Sequence, residues 1–301
     1  MKLLVTGTTG QVGWELARSL MPLGNVIAAD RTICDFSRPE TLAAIVREIR
    51  PDVIVNAAAY TAVDKAEKEE ALATVINATA VGVLAEEAKK TGALLVHYST
   101  DYVFDGTKPA PYVEDDTPSP INAYGRSKLA GEAAIRAVGC DYIILRTTWV
   151  YAARGQNFVK TMLRLVHERE ELNIVADQFG APTSARSIAD ATAHIIRQAQ
   201  QERAGGNFDS GTYHLTAAGA TSWHGFTEAI VQSAVRQGLL NSDRLPKINP
   251  IPTSAYPLPA ARPENSRLDC RRLLNRFNIS CTDWQQALEC VVQEIASMGK
   301  A

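Results

Sequence analysis

A doubly wound parallel α/β sheet followed by a smaller mixed α/β lobe is the architecture that this 301-residue sequence predicts. Short apolar runs alternate with amphipathic stretches from the N-terminus to about residue 148, the pattern of strand–helix–strand units with right-handed crossovers. The first run, Leu3-Leu4-Val5, stops at glycines spaced G-x-x-G-x-x-G, namely Gly7, Gly10 and Gly13. The composition is 46% hydrophobic and 21% charged, enough apolar material for one large core and a lesser one. The fold class is therefore Rossmann-like. Residues 1–148 form the expected dinucleotide-binding domain, to which segments near 186–213 return, and residues 149–301 form mainly a substrate lobe.

Bulk properties exclude several functions. The formal net charge is −2 and there is no basic run, so neither nucleic acid nor an anionic membrane surface is an expected partner. No apolar run approaches the roughly 20 residues that span a bilayer. Met1-Lys2 leads straight into the first strand, so no signal peptide is expected. Cys34, Cys140, Cys270, Cys281 and Cys290 are scattered, odd in number and without C-x-x-C spacing. They read as reduced thiols of a cytoplasmic protein. There is no G-x-S-x-G elbow and no Walker loop, which leaves hydrolase and nucleotide-triphosphate readings without support. His167, His194, His214 and His224 show no metal spacing and read as structural or surface residues.

The glycine loop follows a strand and opens an amphipathic segment, Trp14 to Leu20. In that setting glycines let backbone N–H groups approach a pyrophosphate at a helix N-terminus. The second strand, Asn25 to Ala29, ends at Asp30-Arg31. An acidic residue about 20 positions after the loop suits adenosine ribose hydroxyls, whereas Arg31 suits a ribose phosphate. NADPH is therefore the expected cofactor, with NADH as the second option. Ser37-x-x-Glu40 reads as a capping box for a helix through about Ile49. Asp52 to Asn56 is the third strand, and it runs into the small residues Ala57-Ala58-Ala59 before Tyr60 and Thr61. Glu67 to Lys90 holds one long helix carrying Asn77, stopped by Gly92. The fourth strand, Ala93 to Val96, runs on into Tyr98-Ser99-Thr100-Asp101, whose hydroxyls would face a ligand at the strand end; capping of the following turn is the bland alternative. Asp105 to Asn122 is a long loop, Gly125 to Val138 a helix, and Tyr142 to Leu145 a strand ending in Arg146-Thr147-Thr148-Trp149.

In the second half, Gln156 to Glu168 is helical and Leu172 to Val175 a short strand. Asp177 to Ser184 is a polar loop, and Asp190 to Gln200 belongs to a helix. Gly211 to Leu215 is a strand, and Ser222 or Thr221 caps a helix through Gln237. Six prolines between Pro246 and Pro263 argue against helix or central strand there. Arg262 and Arg267 follow among small polar residues, either to grip a diphosphate or as a solvated linker. Thr282-x-x-Gln285 caps a last helix to about Ser297.

Tyr124 and Lys128 carry the chemistry. Four apart on a helix, their side chains share one face. An ammonium beside a phenol favours the phenolate, and a phenol so tuned can protonate a carbonyl or deprotonate an alcohol. A half-buried tyrosine beside a solvated lysine gives the same spacing, so the pair needs its context.

That context resembles the extended short-chain dehydrogenase/reductases, in which a glycine loop, a Ser-Thr-Asp strand end and Tyr-x-x-x-Lys occur in this order. Within that family, five segments are similar to the branch acting on dTDP-4-dehydrorhamnose: Gly10–Gly13, Asn56–Asp64, Tyr98–Phe104, Arg146–Tyr151 and Asp177–Thr183. Arg262-Pro263 with Ser266 adds to them. The resemblance implies NADPH-dependent reduction of the 4-keto group of dTDP-4-dehydro-β-L-rhamnose to dTDP-L-rhamnose. It also implies roles. Tyr124 would protonate the keto oxygen. Lys128 would lower the tyrosine pKa and hold nicotinamide ribose hydroxyls. Thr100 would hydrogen-bond the carbonyl oxygen or tune Tyr124. Asp101, Trp149 and Arg262 would contact substrate. Gly7, Gly10, Gln11, Val12 and Gly13 would meet the pyrophosphate, Asp30 and Arg31 the adenosine ribose, and Asp35 and Phe36 the adenine. Ala59, Tyr60, Thr61 and Tyr98 would meet the cofactor above the sheet. Some members of the family are magnesium-linked homodimers, which makes Mg²⁺ and a homodimer expectations and Glu15 a candidate ligand, although a surface salt bridge is its plainer reading. Two alternatives stay open: another nucleotide-sugar reductase or epimerase, and a catalytically silent regulatory subunit on the same fold.

Overall fold

The computed structural model describes residues 1–298. Alternation of side chains along the first strand already implies helices on both sides of the sheet. In β1 (Lys2–Thr6), Leu3 and Val5 enter one core and Leu4 enters the other. The chain continues through α1 (Gln11–Ser19), β2 (Asn25–Ala29), α2 (Pro39–Ile49), β3 (Val53–Asn56), α3 (Val63–Ala66), α4 (Glu70–Thr74), α5 (Ala80–Thr91), β4 (Leu94–Thr100), α6 (Ala123–Val138) and β5 (Tyr142–Thr147). The second half adds β6 (Val150–Tyr151), α7 (Phe158–Glu168), β7 (Glu171–Val175), β8 (Phe179–Gly180), β9 (Thr183–Ser184), α8 (Ala185–Ala204) and β10 (Gly211–His214). It closes with β11 (Thr221–Ser222), α9 (Trp223–Arg236), β12 (Lys247–Ile251), α10 (Arg271–Phe277) and α11 (Trp284–Met298).

The main sheet has the order β10-β5-β4-β3-β1-β2, and all its pairings are parallel. Strand order reverses at β1, so the crevice beyond the carboxyl ends of β1 and β3 is where such a sheet binds a ligand. Helix α8 lays Ile188, Ile195 and Ile196 on the α1 side of this sheet, and β10 pairs with β5. The second lobe has its own core, with Val159, Met162, Phe226, Ile230, Leu288 and Val292 among its members. Its strand β12 pairs only with β7; an edge position is what tolerates Pro250.

Three local features depart from expectation, and one open choice is resolved. Ser37 does not cap α2: its N–H and hydroxyl both donate to Asp35 Oδ1, and Pro39 sits in the first turn instead. The last helix is capped by Asp283, whose Oδ1 accepts from the N–H groups of Gln285 and Gln286, and not by Thr282. At α9 the choice resolves to Ser222, which accepts from Gly225 N–H. The long helix 70–91 runs through a π turn at Val75–Thr79, a local widening frequent at functional sites. That helix is long and apolar enough to cross a bilayer by length and hydropathy, yet half of its apolar window is buried in the protein. Val81, Leu84, Ala85 and Ala88 pack beneath the sheet, as a core helix does.

Candidate active site

Two glycines shape the first loop. Gly7 has φ +70°, and a Cβ there would come within 2.6 Å of Ala58 N; a Cβ on Gly13 would overlap the Gly7 carbonyl. The loop is thus pressed against the end of β3, and only glycine permits it. Helix α1 begins just beyond it with Gly10 as N-cap and no side-chain cap, so its first N–H groups stay free for an anion. Gly10, Gln11 and Val12 line a cavity of roughly 520 Å³ with Ala57, Ala59, Thr61, Tyr98, Thr100, Asp101, Tyr124, Lys128 and Trp149. A second cavity of roughly 730 Å³ adjoins it through Tyr102 and Trp223 and is lined by Arg262, Arg169 and Tyr256.

Asn122 caps α6 by accepting from Gly125 N–H at 2.8 Å, which sets Tyr124 in the first turn and Lys128 one turn later. Burial pushes the Tyr124 phenol well above its ordinary value; the Thr100 hydroxyl opposes this and the Asp101 charge adds to it. Lys128 is buried, and its Nζ donates to the Tyr98 carbonyl at 2.7 Å. Burial pulls this amine down to about 8, against the Glu132 charge. Desolvation is the largest influence on both groups, and Lys128 is not among the groups that move the Tyr124 phenol. Burial likewise raises Asp101 to about 6, against the Ser266, Thr100 and Thr148 hydroxyls; its Oδ2 is buried without a partner.

A family model described as RmlD substrate binding domain matches residues 1–297. The chain is 59% identical to a dTDP-4-dehydrorhamnose reductase of Burkholderia thailandensis over 99% of its length and 100% of the relative's. It is 49% identical to one of Escherichia coli K12, covering 98% of each. A crystal structure of dTDP-4-dehydrorhamnose reductase from Bacillus anthracis in complex with NADP superposes with a TM-score of 0.88 at 37% identity, covering 97% of this chain and 99% of that one. The chain belongs to the RmlD family.

In this RmlD-family chain several expected residues lie elsewhere than the cavity wall. The Tyr60 ring packs against Ala66, Ala73 and Ala123, and its hydroxyl donates to Glu69 at 2.6 Å. That bond, more than burial, pushes Tyr60 up to about 12. Phe36 is buried against the α2 side of the sheet, and Asp35 closes the turn before α2. Asp30 stands at the end of β2 accepting from Thr32, and the exposed Arg31 pairs loosely with Asp35 at 3.5 Å. Arg262 is aimed by Asp64, with Nη2 to Oδ2 at 2.8 Å. Glu15, the candidate magnesium ligand, is buried rather than on the surface and accepts from Arg186 Nε at 3.4 Å. Among the described residues no cluster of three His, Cys, Asp or Glu could hold a metal.

Sequence reading missed Trp223, which stacks on Trp149 with ring centroids 3.5 Å apart. Trp149 has φ +46°, strain that a non-glycine residue keeps where its surroundings over-determine it. It also missed the role of Asn77. In the π turn Asn77 accepts from Tyr60 N–H and donates to the Tyr60 carbonyl and Ser127 Oγ, tying the β3 loop to α6. An asparagine inside a long apolar helix was the available signal.

Proposed function

We propose that the chain reduces the 4-keto group of dTDP-4-dehydro-β-L-rhamnose with NADPH, giving dTDP-L-rhamnose, an activated sugar for bacterial surface polysaccharide. The observation that carries this is the convergence of Tyr124, Thr100 and Lys128 in a cavity that shares walls with a second, arginine-lined one. Residues 1–148 with α8 and β10 serve as the dinucleotide domain, and the remainder of the second half as the substrate lobe.

The residues present fit a nicotinamide dinucleotide: the uncapped α1 N-terminus and the glycine cradle suit a pyrophosphate, Arg31 suits a ribose phosphate, and Asp30 suits free ribose hydroxyls. When bound, a reduced nicotinamide supplies the hydride. Tyr124, held protonated by burial, donates its proton to the C4 oxygen, and the Thr100 hydroxyl donates a second hydrogen bond to the same oxygen. Preorganised donors of this kind stabilise the developing oxyanion. Lys128 compensates the phenolate left behind and reaches ribose hydroxyls. Asp101 and Trp149 orient the sugar, and Arg262 meets the diphosphate. A homodimer and a cytoplasmic location are further expectations, resting on the resemblance and on cysteines that are all free among the described residues.

Incubation with dTDP-4-dehydrorhamnose and NADPH, then NADH, tests the reading through loss of nicotinamide absorbance. Turnover is the expected result; absence of cofactor oxidation would overturn it. Two substitutions probe the cofactor side. Gly13→Ala is expected to weaken NADPH binding by at least about tenfold, ~1.4 kcal/mol, since the added methyl displaces the loop; an unchanged Kd in a fluorescence titration contradicts this. Arg31→Ala is expected to raise the NADPH Kd about tenfold, the scale of one charge-assisted contact, and to leave NADH unaffected. Equal losses for both would remove Arg31 from the phosphate site.

A further inference from the structure

A chain of side chains runs from the glycine loop strand to Lys128, and its hydrogen-bond directions can be read off. Asn56 Oδ1 lies 2.8 Å from Thr6 Oγ1 and 3.1 Å from Ala58 N. The Ala58 N–H has no lone pair to offer, so the oxygen of the Asn56 amide must face it. The amide nitrogen is thereby turned to His97 Nδ1, 3.0 Å away, and an amide nitrogen only donates. His97 is fully buried, and burial together with the Lys128 charge holds it neutral. A neutral ring that accepts at Nδ1 carries its proton on Nε2. Nε2 lies 3.3 Å from Lys128 Nζ. An N–H there opposes an ammonium and suits the lone pair of an uncharged amine.

We propose that His97 is a positioning residue for Lys128: locked by Asn56 as the Nε2–H tautomer, it points an N–H at Nζ and sets the pH at which the lysine gives up its proton. The proposal rests on the reading of Lys128 as the partner of Tyr124. The charged and titratable groups around Nζ are His97 on β4, Tyr124 and Glu132 on α6, and Arg146 on β5 behind Glu132; the π turn contributes the neutral Asn77. Glu132 favours the ammonium, but Arg146 and Arg136 already neutralise it, leaving the His97 N–H as the adjustable partner. With the amine poised at about 8, Lys128 is charged below that pH and compensates the Tyr124 phenolate. Above it that compensation is lost, so reduction falls on the alkaline side.

Asn56→Asp inverts the arrangement. A carboxylate can accept from Thr6, Ala58 and His97 Nδ1–H together, leaving Nε2 as an acceptor for the ammonium. The expected result is an alkaline limb of the kcat–pH profile moved up by about one unit or more, given an added charge and a reversed dipole. His97→Met, which only deletes the N–H, is expected to move it up by less. A purely structural role would lower kcat at every pH and leave the limb in place, and that outcome would overturn the proposal. A readout independent of turnover is the long-range ¹H–¹⁵N spectrum of histidine-labelled protein, with the His97 signals identified by their loss in His97→Met. Wild type is expected to show Nε2–H and Asn56→Asp to show Nδ1–H. An Nδ1–H wild type refutes the proposal even if the enzyme reduces the keto sugar. Failure to reduce that sugar with the tautomers as expected refutes the proposed substrate instead.

Discussion

Tyr124→Phe is expected to lower kcat for keto-sugar reduction by about 10²–10⁴, the usual contribution of a general acid, with the NADPH Kd changed less than twofold. The phenylalanine ring keeps the edge-on contact with Tyr102, whose centroid lies 5.7 Å away, so the first turn of α6 should hold its place. What is lost is one proton at one oxygen. Burial lifts the phenol above its ordinary value, so near neutral pH it is an acid ready to give, which suits reduction better than oxidation. The alkoxide forming at C4 would then meet only the Thr100 hydroxyl. Single-turnover rates of cofactor oxidation with the dTDP-sugar, alongside a fluorescence titration of NADPH, separate the two quantities. Turnover within a few-fold of wild type would take the proton donor's role from Tyr124.

The sheet was legible because its signals are local. Leu3-Leu4-Val5 before a glycine triplet, and Asp52–Asn56 before three alanines, need no partner to be recognised as buried strands. The Tyr124–Lys128 spacing was equally plain, but the balance of effects on it was not. Spacing says that an ammonium sits one turn from a phenol; only packing says that both are desolvated and that Lys128 is turned to the Tyr98 carbonyl. Residues joined across long separations were illegible for the same reason. Trp223 meets Trp149, and Asn56 meets His97, through the fold alone. Tyr60 is a case where its neighbours line the cavity while Glu69, nine residues on, holds its hydroxyl.

Arg146→Met is expected to destabilise the protein by up to about 3–5 kcal/mol, the cost of breaking a buried ion pair, with Arg136 keeping one bond of 2.8 Å to Glu132. Glu132 and Arg146 are 0% and 1% exposed and meet through paired bonds of 2.8 and 2.7 Å. Burial by itself would raise the Glu132 carboxyl; Arg146, with Ser99 and Arg136, outweighs it and holds the group below its ordinary value. A depressed carboxyl contributes stability that is present above its unfolded value and is lost as pH falls through the folded one. The Arg146→Met protein should therefore lose its stability deficit relative to wild type in acid, below the ordinary glutamate range. The double variant Glu132→Gln with Arg146→Met should recover much of the loss, because it removes the stranded charge. Urea midpoints for the single and double variants at neutral and acid pH measure all of this, and a single variant within 1 kcal/mol of wild type would refute it. Function should follow stability here. Arg146 sits opposite Ser99 in the β4–β5 register, one residue before Thr100, and Glu132 lies one turn beyond Lys128 on α6. The pair thus clamps the strand that carries Thr100 to the helix that carries Tyr124. Loosening it should lower kcat more than it changes NADPH binding, since Gly10, Gln11 and Val12 lie across the sheet on the loop after β1.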